Sequence, residues 1–130
     1  MVNKKIVTPR VKIIQNLYSK KSNPEISIKY SKNQFKKFIK DVTEGTIERE
    51  ELIDDIIKKN LKDDINTNKT DKILLIIIHA AIYEFLFKHN NNISVIISEY
   101  LKTAEAFLEK AKIAYLNAIL DKISKILRKS

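Results

Sequence analysis

TDKILLIIIHAAIYEFLFKH, residues 70–89, is a long apolar run from which the architecture can be argued. Nearly every side chain in residues 73–87 is apolar, and a helix that is apolar all round lies inside a domain or inside a membrane. His79 and Glu84 interrupt the run, which is also shorter than the ~20 residues that a bilayer requires. We therefore predict a central core helix, capped by Thr70 at its N-terminus, with other helices packed around it.

The composition favours one α-helical domain in a reducing compartment. A chain of 130 residues is long enough to bury a core. One Gly and two Pro are too few for the turns of an all-β fold. The absence of Cys excludes disulfides and thiolate metal sites and suits the cytosol. No apolar secretion signal is visible at the N-terminus, so we expect a cytoplasmic protein.

The net charge of +9 is concentrated in the first third of the chain. Residues 1–40 contain eleven basic residues and one acidic residue, a net charge of +10. Residues 41–130 contain fourteen basic and fifteen acidic residues, a net charge of −1. This asymmetry predicts that the N-terminal end binds a polyanion.

Local signals predict helix boundaries outside the central run. Residues 1–9 form a basic arm, and Thr8 with Pro9 predicts the start of the first helix. Ser31 and Gln34 match a capping box that would open the second helix, and Gly45 is predicted to end it. The inward positions predicted for the first three helices are Ile13, Ile14, Leu17, Phe35, Phe38, Ile39, Val42, Leu52, Ile53, Ile56, Ile57 and Leu61. Because no strand-like alternation occurs, we predict an all-α bundle of six or seven helices.

The sequence contains no recognisable catalytic constellation. It lacks a glycine-rich phosphate loop and any cluster of His, Asp and Glu at metal-binding spacing. Its carboxylate pairs, such as Asp54 with Asp55, are adjacent in sequence and therefore point to different sides of a helix. His79, on an apolar helix, is better interpreted as a hydrogen-bonded histidine than as a metal ligand. We predict a protein that is not an enzyme and has no cofactor.

Four stretches resemble, in order, motifs of the NusB family of bacterial transcription antitermination factors. RVKIIQNLY (10–18) resembles A-R-x-x-A-x-Q-x-L-Y, and ILLIIIHAAIYEF (73–85) resembles L-R-A-I-L-R-A-x-x-Y-E-L. VIISEY (95–100) is similar to V-x-I-x-E-Y/A, and YLNAILDKI (115–123) is similar to K-F-V-N-G-V-L-D-x-I with an offset of one position. Together they cover residues 10–125, and the residue types at their motif positions are closest to those of the alphaproteobacterial branch of the family.

The resemblance implies a single NusB-like RNA-binding domain, residues 1–130, built from two small packed helical bundles. It also implies partners: the boxA element of nascent RNA, the ribosomal small-subunit protein called NusE, and RNA polymerase. NusE and NusB bind boxA together, and the assembly makes the polymerase resist termination, notably in ribosomal RNA operons. Whether the free protein forms a homodimer is left open.

The resemblance also implies which residues contact each partner. A basic end with interspersed aromatic residues suits single-stranded RNA, because lysines follow phosphates and aromatic rings stack on bases. The predicted RNA contacts are Lys4, Lys5, Arg10, Lys12, Tyr18, His79, Tyr100, Tyr115 and Asn117. The predicted NusE contacts are Asp71 and Glu84. From periodicity alone, Tyr18 would instead lie at the edge of the core with its hydroxyl in water.

The chain departs from the family pattern at several of these positions. Ile6 and Val7 stand where the family has arginines, and His79 also replaces an arginine. Lysine and histidine lack the bidentate grip of a guanidinium, so a softer RNA specificity is expected. Ala118 replaces a glycine, which suits a helix but hinders the close approach of a backbone or ligand.

Two other interpretations compete with a stand-alone RNA-binding factor. A helical module that binds only protein would carry its lysines as a solvated face. NusB-like domains also precede ribosomal RNA methyltransferases, although no methyltransferase follows within the 130 residues, which disfavours this alternative.

Overall fold

The computed structural model describes residues 8–66 and 69–128, and every regular element in them is an α-helix. The helices are α1 (Pro9–Ser22), α2 (Lys36–Glu48), α3 (Glu50–Asn60), α4 (Lys72–Phe87), α5 (Ile93–Ala104) and α6 (Lys110–Leu127). The predicted all-α class is therefore confirmed. No helix in these two ranges combines the length and apolar character needed to cross a bilayer.

Helix α4 is the central helix, as its apolar run predicts. It packs against each of the other five helices, and ten of its side chains are buried. Helices α1, α2 and α3 form one group around α4, while α5 and α6 form a second group with it. Contacts between α1 and α5 join the two groups. The two-bundle arrangement thus follows from α4, because a helix that is apolar on all sides must be covered by other helices on all sides.

Side-chain caps begin α1 and α4, although the cap of α4 is not the predicted one. Thr8 accepts a hydrogen bond from the Val11 amide at 3.2 Å, as expected for α1. At α4 the cap is Asp71, whose Oδ1 accepts from the Ile73 amide at 2.8 Å and the Leu74 amide at 3.2 Å. Thr70 instead donates its hydroxyl hydrogen to a backbone carbonyl. A carboxylate also interacts favourably with the helix dipole, which explains why Asp71 replaces Thr70.

Helix α2 begins later than its predicted capping box. Its N-cap is Phe35, and no side chain caps its first amides. Asn33 accepts from the Phe35 amide at 2.7 Å, so the chain turns just before the helix. Phe35 consequently points outward and is 45% exposed, contrary to the prediction. Leu52, also predicted inward, is 42% exposed.

Gly45 lies inside α2 and does not end it. The helix continues to Glu48, and α3 begins at Glu50. The reason for glycine is a close approach, because a Cβ at Gly45 would overlap the Tyr83 ring of α4. Its role is therefore packing between two helices rather than a left-handed turn.

Gly45→Ala is expected to lower the free energy of unfolding by about 1–2 kcal/mol. Overpacking costs about 1–3 kcal/mol, which exceeds the gain of at most about 1 kcal/mol from helix propensity. Urea unfolding measures the change. In a Tyr83→Ala background the same substitution is expected to stabilise the protein, because the ring is gone. Equal effects in the two backgrounds would contradict the overlap.

Arg128, just after α6, binds the C-terminal end of α4. Its Nε donates to the Phe85 carbonyl at 2.8 Å, and its Nη1 donates to the Asn91 carbonyl at 2.6 Å. Its Nη2 donates to the carbonyls of Glu84 at 3.1 Å and Lys88 at 2.9 Å. One guanidinium thus bonds to the Phe85 and Asn91 carbonyls and adds a second donor to the carbonyls of Glu84 and Lys88, which already accept from the amides of Lys88 and Asn91.

Candidate nucleic-acid interface

A groove lies between the C-terminal half of α1, helix α3 and the N-terminal half of α4. Its volume is 390 Å³. It is lined by Tyr18, Lys21, Ser22, Asp54, Lys72, Leu75, Ile76 and His79. We call it the α1–α4 groove. It brings together Tyr18 and His79, two of the predicted RNA contacts, although they lie on different helices.

Tyr18 presents its ring to this groove. The residue is 44% exposed and makes no described hydrogen bond, so part of its side chain is open to solvent. Its neighbours on α1, Ile14 and Leu17, are buried and hold the helix against the core. The position is therefore at the rim of the core, which is compatible with both interpretations of Tyr18 made from the sequence.

His79 is held between two hydrogen-bond acceptors. Its Nδ1 lies 2.6 Å from the Leu75 carbonyl oxygen, and its Nε2 lies 2.8 Å from Asp54 Oδ1. A protonated imidazole can donate to both at once, and it then forms an ion pair with Asp54. The prediction of a hydrogen-bonded histidine agrees with this arrangement. Where the family pattern has arginine, this chain thus has a histidine bonded to Asp54, which lines the same groove.

Two lysines add positive charge to the α1–α4 groove. Lys21 pairs with Glu50 at 2.9 Å, and both side chains are exposed, so the pair is screened by solvent. Lys72 is exposed and has no ion pair with a described residue. A smaller, mainly apolar hollow of 270 Å³ adjoins the groove and shares Lys21, Ile76 and His79 with it. Charge and apolar surface thus lie side by side.

Three predicted contacts form an internal network instead. Arg10 Nε donates to Glu84 Oε2 at 2.9 Å, and Arg10 Nη2 donates to Glu84 Oε1 at 2.7 Å. The Tyr100 hydroxyl also donates to Glu84 Oε2. Glu84 and Tyr100 have no exposed surface, and the Arg10 side chain is 11% exposed. Because these groups are buried against one another, the structure gives no support to RNA contact by Arg10 and Tyr100 or to NusE contact by Glu84, which stay predictions.

Burial and charge together set the protonation of this network. Burial alone would lower the pKa of Arg10, but the hydrogen bonds and charge of Glu84 outweigh it and raise the pKa. Burial, followed by the negative charge of Glu84, raises the pKa of Tyr100 well above its ordinary value. The Arg10 guanidinium carbon also lies 5.0 Å from the centre of the Phe38 ring. The network therefore ties α1, α4 and α5 through a fixed ion pair.

The remaining predicted RNA contacts do not line the α1–α4 groove. Tyr115 is 36% exposed on α6, and its hydroxyl donates to the Asp64 carbonyl beyond α3. Asn117 lines a different groove, between α5 and α6. Lys12 is exposed on α1. Lys4 and Lys5 lie outside the described residues.

Asp71, a predicted NusE contact, already has two structural roles. Besides capping α4, it pairs with Lys112 of α6 at 2.8 Å. The Lys112 hydrogen bond lowers the pKa of Asp71, although partial burial opposes the shift. A lowered pKa stabilises the fold above the unfolded pKa of about 3.9, and this contribution is lost as the pH falls below it. Contact with NusE at this position stays a prediction.

Comparison with protein families adds an independent observation. The model of the NusB family matches residues 5–125. The chain belongs to the NusB family. Its relatives include "Transcription antitermination protein NusB" of Novosphingobium aromaticivorans, 27% identical over 122 residues, which are 93% of this chain and 82% of the relative. The family resemblance inferred from four short motifs is thereby confirmed.

Other NusB relatives align over a shorter range. The NusB of Mesorhizobium japonicum is 34% identical over 84 residues, covering 65% of this chain and 54% of the relative. The NusB of Allorhizobium ampelinum is 30% identical over 91 residues, covering 70% of this chain and 57% of the relative. This chain thus spans little more than half the length of these two relatives.

Sequence reasoning missed several residues of the α1–α4 groove on this NusB-family chain. Lys21 and Ser22 follow Tyr18 by three and four residues, so all three share one helix face. Lys72 precedes His79 by seven residues, which is two helical turns. Both spacings were available in the sequence as signals. Asp54 was seen only as part of an acidic pair, because its contact with His79 joins two helices.

The described part of this NusB-family protein contains no candidate metal site. In residues 8–66 and 69–128, no group of three or more His, Cys, Asp or Glu side chains could hold a metal ion. The α1–α4 groove offers cations and one aromatic ring instead.

Proposed function

We propose that this chain is a transcription antitermination factor that binds single-stranded boxA RNA of nascent ribosomal RNA together with NusE. In this proposal it is a cytoplasmic, non-enzymatic single domain that helps RNA polymerase resist termination. The observation that carries the proposal is membership of the NusB family over residues 5–125. The relatives named above are transcription antitermination proteins, which supports the same role here.

The α1–α4 groove is the proposed RNA-binding surface. Lys21 and Lys72 would hold phosphates, while the exposed ring of Tyr18 would stack on a base. The apolar hollow beside His79 offers space for part of a second base. The lysines act here as point charges, so base stacking is expected to contribute more to selectivity than bidentate contacts do.

Other predicted residues stay in the proposal as peripheral contacts. Lys12 and Tyr115 are exposed, as is Asn117, although the latter faces the groove between α5 and α6. Lys4 and Lys5 of the N-terminal arm are proposed to add phosphate contacts. Asp71 is the one predicted NusE contact with exposed surface, since Glu84 is fully buried.

A titration with boxA RNA in the presence and absence of NusE tests the proposal. We expect weak RNA binding by the chain alone and tighter binding with NusE, because the pair presents a larger basic surface. Fluorescence anisotropy of labelled RNA measures both affinities, with a scrambled RNA of equal length as the control. Equal affinity with and without NusE would rule out cooperative binding. Binding of NusE without any RNA binding would identify a protein-interaction module instead.

A further inference from the structure

A lysine cluster surrounds the start of α2, away from the α1–α4 groove. The segment KYSKNQFKKFIK, residues 29–40, contains five lysines and no acidic residue. All five lysines are exposed, and none forms an ion pair with a described residue. They are Lys29, Lys32, Lys36, Lys37 and Lys40, which we call the α2 lysine cluster.

Two lysines of the α2 lysine cluster lie at a helix end where the dipole disfavours positive charge. Lys36 and Lys37 occupy the first turn of α2, which contains no acidic residue and has no side-chain cap. The helix dipole places partial positive charge at this end, so it repels both ammonium groups. An anion would relieve this repulsion. By contrast, Lys58 and Lys59 lie in the last turn of α3, where the dipole attracts them.

An exposed aromatic ring lies within the same cluster. Phe35 is the N-cap residue of α2, between Lys32 and Lys36 in sequence, and it is 45% exposed. An exposed ring among lysines that form no ion pair is the combination that binds single-stranded nucleic acid, because the ring stacks on a base. A membrane is a poorer match, since the apolar side of α2, with Ile39 and Val42, is buried in the core.

The α2 lysine cluster is close to the start of α1. Phe38, in the first turn of α2, contacts Arg10, the second residue of α1. Tyr18 lies about 12 Å further along α1. No residue of the cluster lines the α1–α4 groove. We propose that the cluster is a second contact site for single-stranded RNA, which takes phosphates and one stacked base from nucleotides flanking boxA. This inference rests on the proposed function.

A matched pair of triple variants tests the proposal. One carries Lys32→Gln, Lys36→Gln and Lys37→Gln, and the control carries Lys58→Gln, Lys59→Gln and Lys62→Gln. Both remove three exposed lysines that lack ion pairs with described residues. Each is titrated with RNA restricted to boxA and with boxA RNA extended by unstructured nucleotides on both sides. Thermal melting verifies that both variants are folded.

The two RNAs are expected to respond differently. For the extended RNA, the cluster variant should lose at least about tenfold in affinity, and its slope of log K against log salt should flatten by about 2, or 0.7 per phosphate. The control variant and the short RNA should change little. Phe35→Leu should weaken binding of the extended RNA without flattening the slope, because it removes a ring and no charge.

The outcomes separate this inference from the proposed function. If wild-type protein with NusE binds neither RNA, both proposals are overturned. If the short RNA binds but the cluster and control variants have equal affinities for the extended RNA, only the second site is overturned. The same holds if the cluster variant loses binding to phosphatidylserine vesicles while its affinity for the extended RNA is unchanged.

Discussion

Glu84→Gln is expected to lower the free energy of unfolding by about 3–5 kcal/mol, because it leaves a largely buried guanidinium without its counter-charge. Glu84 has no exposed surface and accepts two hydrogen bonds from Arg10. It also accepts from Tyr100 and, at 3.3 Å, from Asn91. The amide of glutamine keeps the shape but cannot accept all these bonds. Denaturant unfolding monitored by circular dichroism measures the loss.

Glu50→Gln is the matched control for this prediction. The chemical change is the same, but the Lys21–Glu50 pair is exposed, so the expected cost is less than about 1 kcal/mol. A double variant, Arg10→Met with Glu84→Gln, should recover part of the loss, because no buried charge then lacks a partner. If Glu84→Gln and Glu50→Gln cost the same, the buried network contributes no more than a surface pair.

Tyr18→Leu is expected to weaken boxA RNA binding by about 1–3 kcal/mol, the usual contribution of a ring stacked on a base. Leucine keeps much of the apolar bulk and removes the aromatic face. The melting temperature should change little, because Tyr18 is 44% exposed and has no described hydrogen bond. Anisotropy titration with NusE present measures the affinity, and thermal melting is recorded on the same sample.

Tyr18→Phe keeps the ring and is the control for stacking. We expect it to bind RNA nearly as well as the wild-type protein. Tyr115→Leu is expected to change stability as well as RNA affinity, since the Tyr115 hydroxyl also donates a hydrogen bond to the Asp64 carbonyl. A folded Tyr18→Leu variant with unchanged RNA affinity would remove the α1–α4 groove from the proposed interface. A lower melting temperature with intact affinity per folded molecule would place Tyr18 in the core.

The central helix could be predicted from sequence because its apolar run leaves only one kind of environment for it. The exact start of that helix could not, since Thr70 and Asp71 are both good caps and differ by tenths of a kcal/mol. The prediction that Gly45 ends α2 is wrong for a different reason. Its requirement for a hydrogen in place of a side chain comes from Tyr83 on another helix. Local signals such as glycine are ambiguous until the packing partner is known.

For the candidate interface, the sequence could predict exposure only at residues whose environment is set by their own helix. Tyr18 lies on a basic helix and is exposed, as its surroundings suggested. Arg10 has the same basic surroundings, yet its partner Glu84 is 74 residues away. Nothing local distinguishes an arginine that binds phosphate from one that neutralises a buried carboxylate. Long-range pairing therefore decided which of the predicted contacts are internal.

The hydrogen bonds from Arg128 to the end of α4 can form only late in translation, so they set an order for folding on the ribosome. Its four carbonyl acceptors, in residues 84–91, precede it by 37 to 44 residues. At translation rates of about 5–20 residues per second, they are made roughly 2–9 s before the guanidinium. During that interval the Glu84 and Lys88 carbonyls can still accept from backbone amides, whereas those of Phe85 and Asn91 have no described partner other than Arg128. The packing of α5 and α6 against α4 is therefore expected to be completed last. In a nascent chain on a ribosome stalled before residue 128, the C-terminal end of α4 should fray.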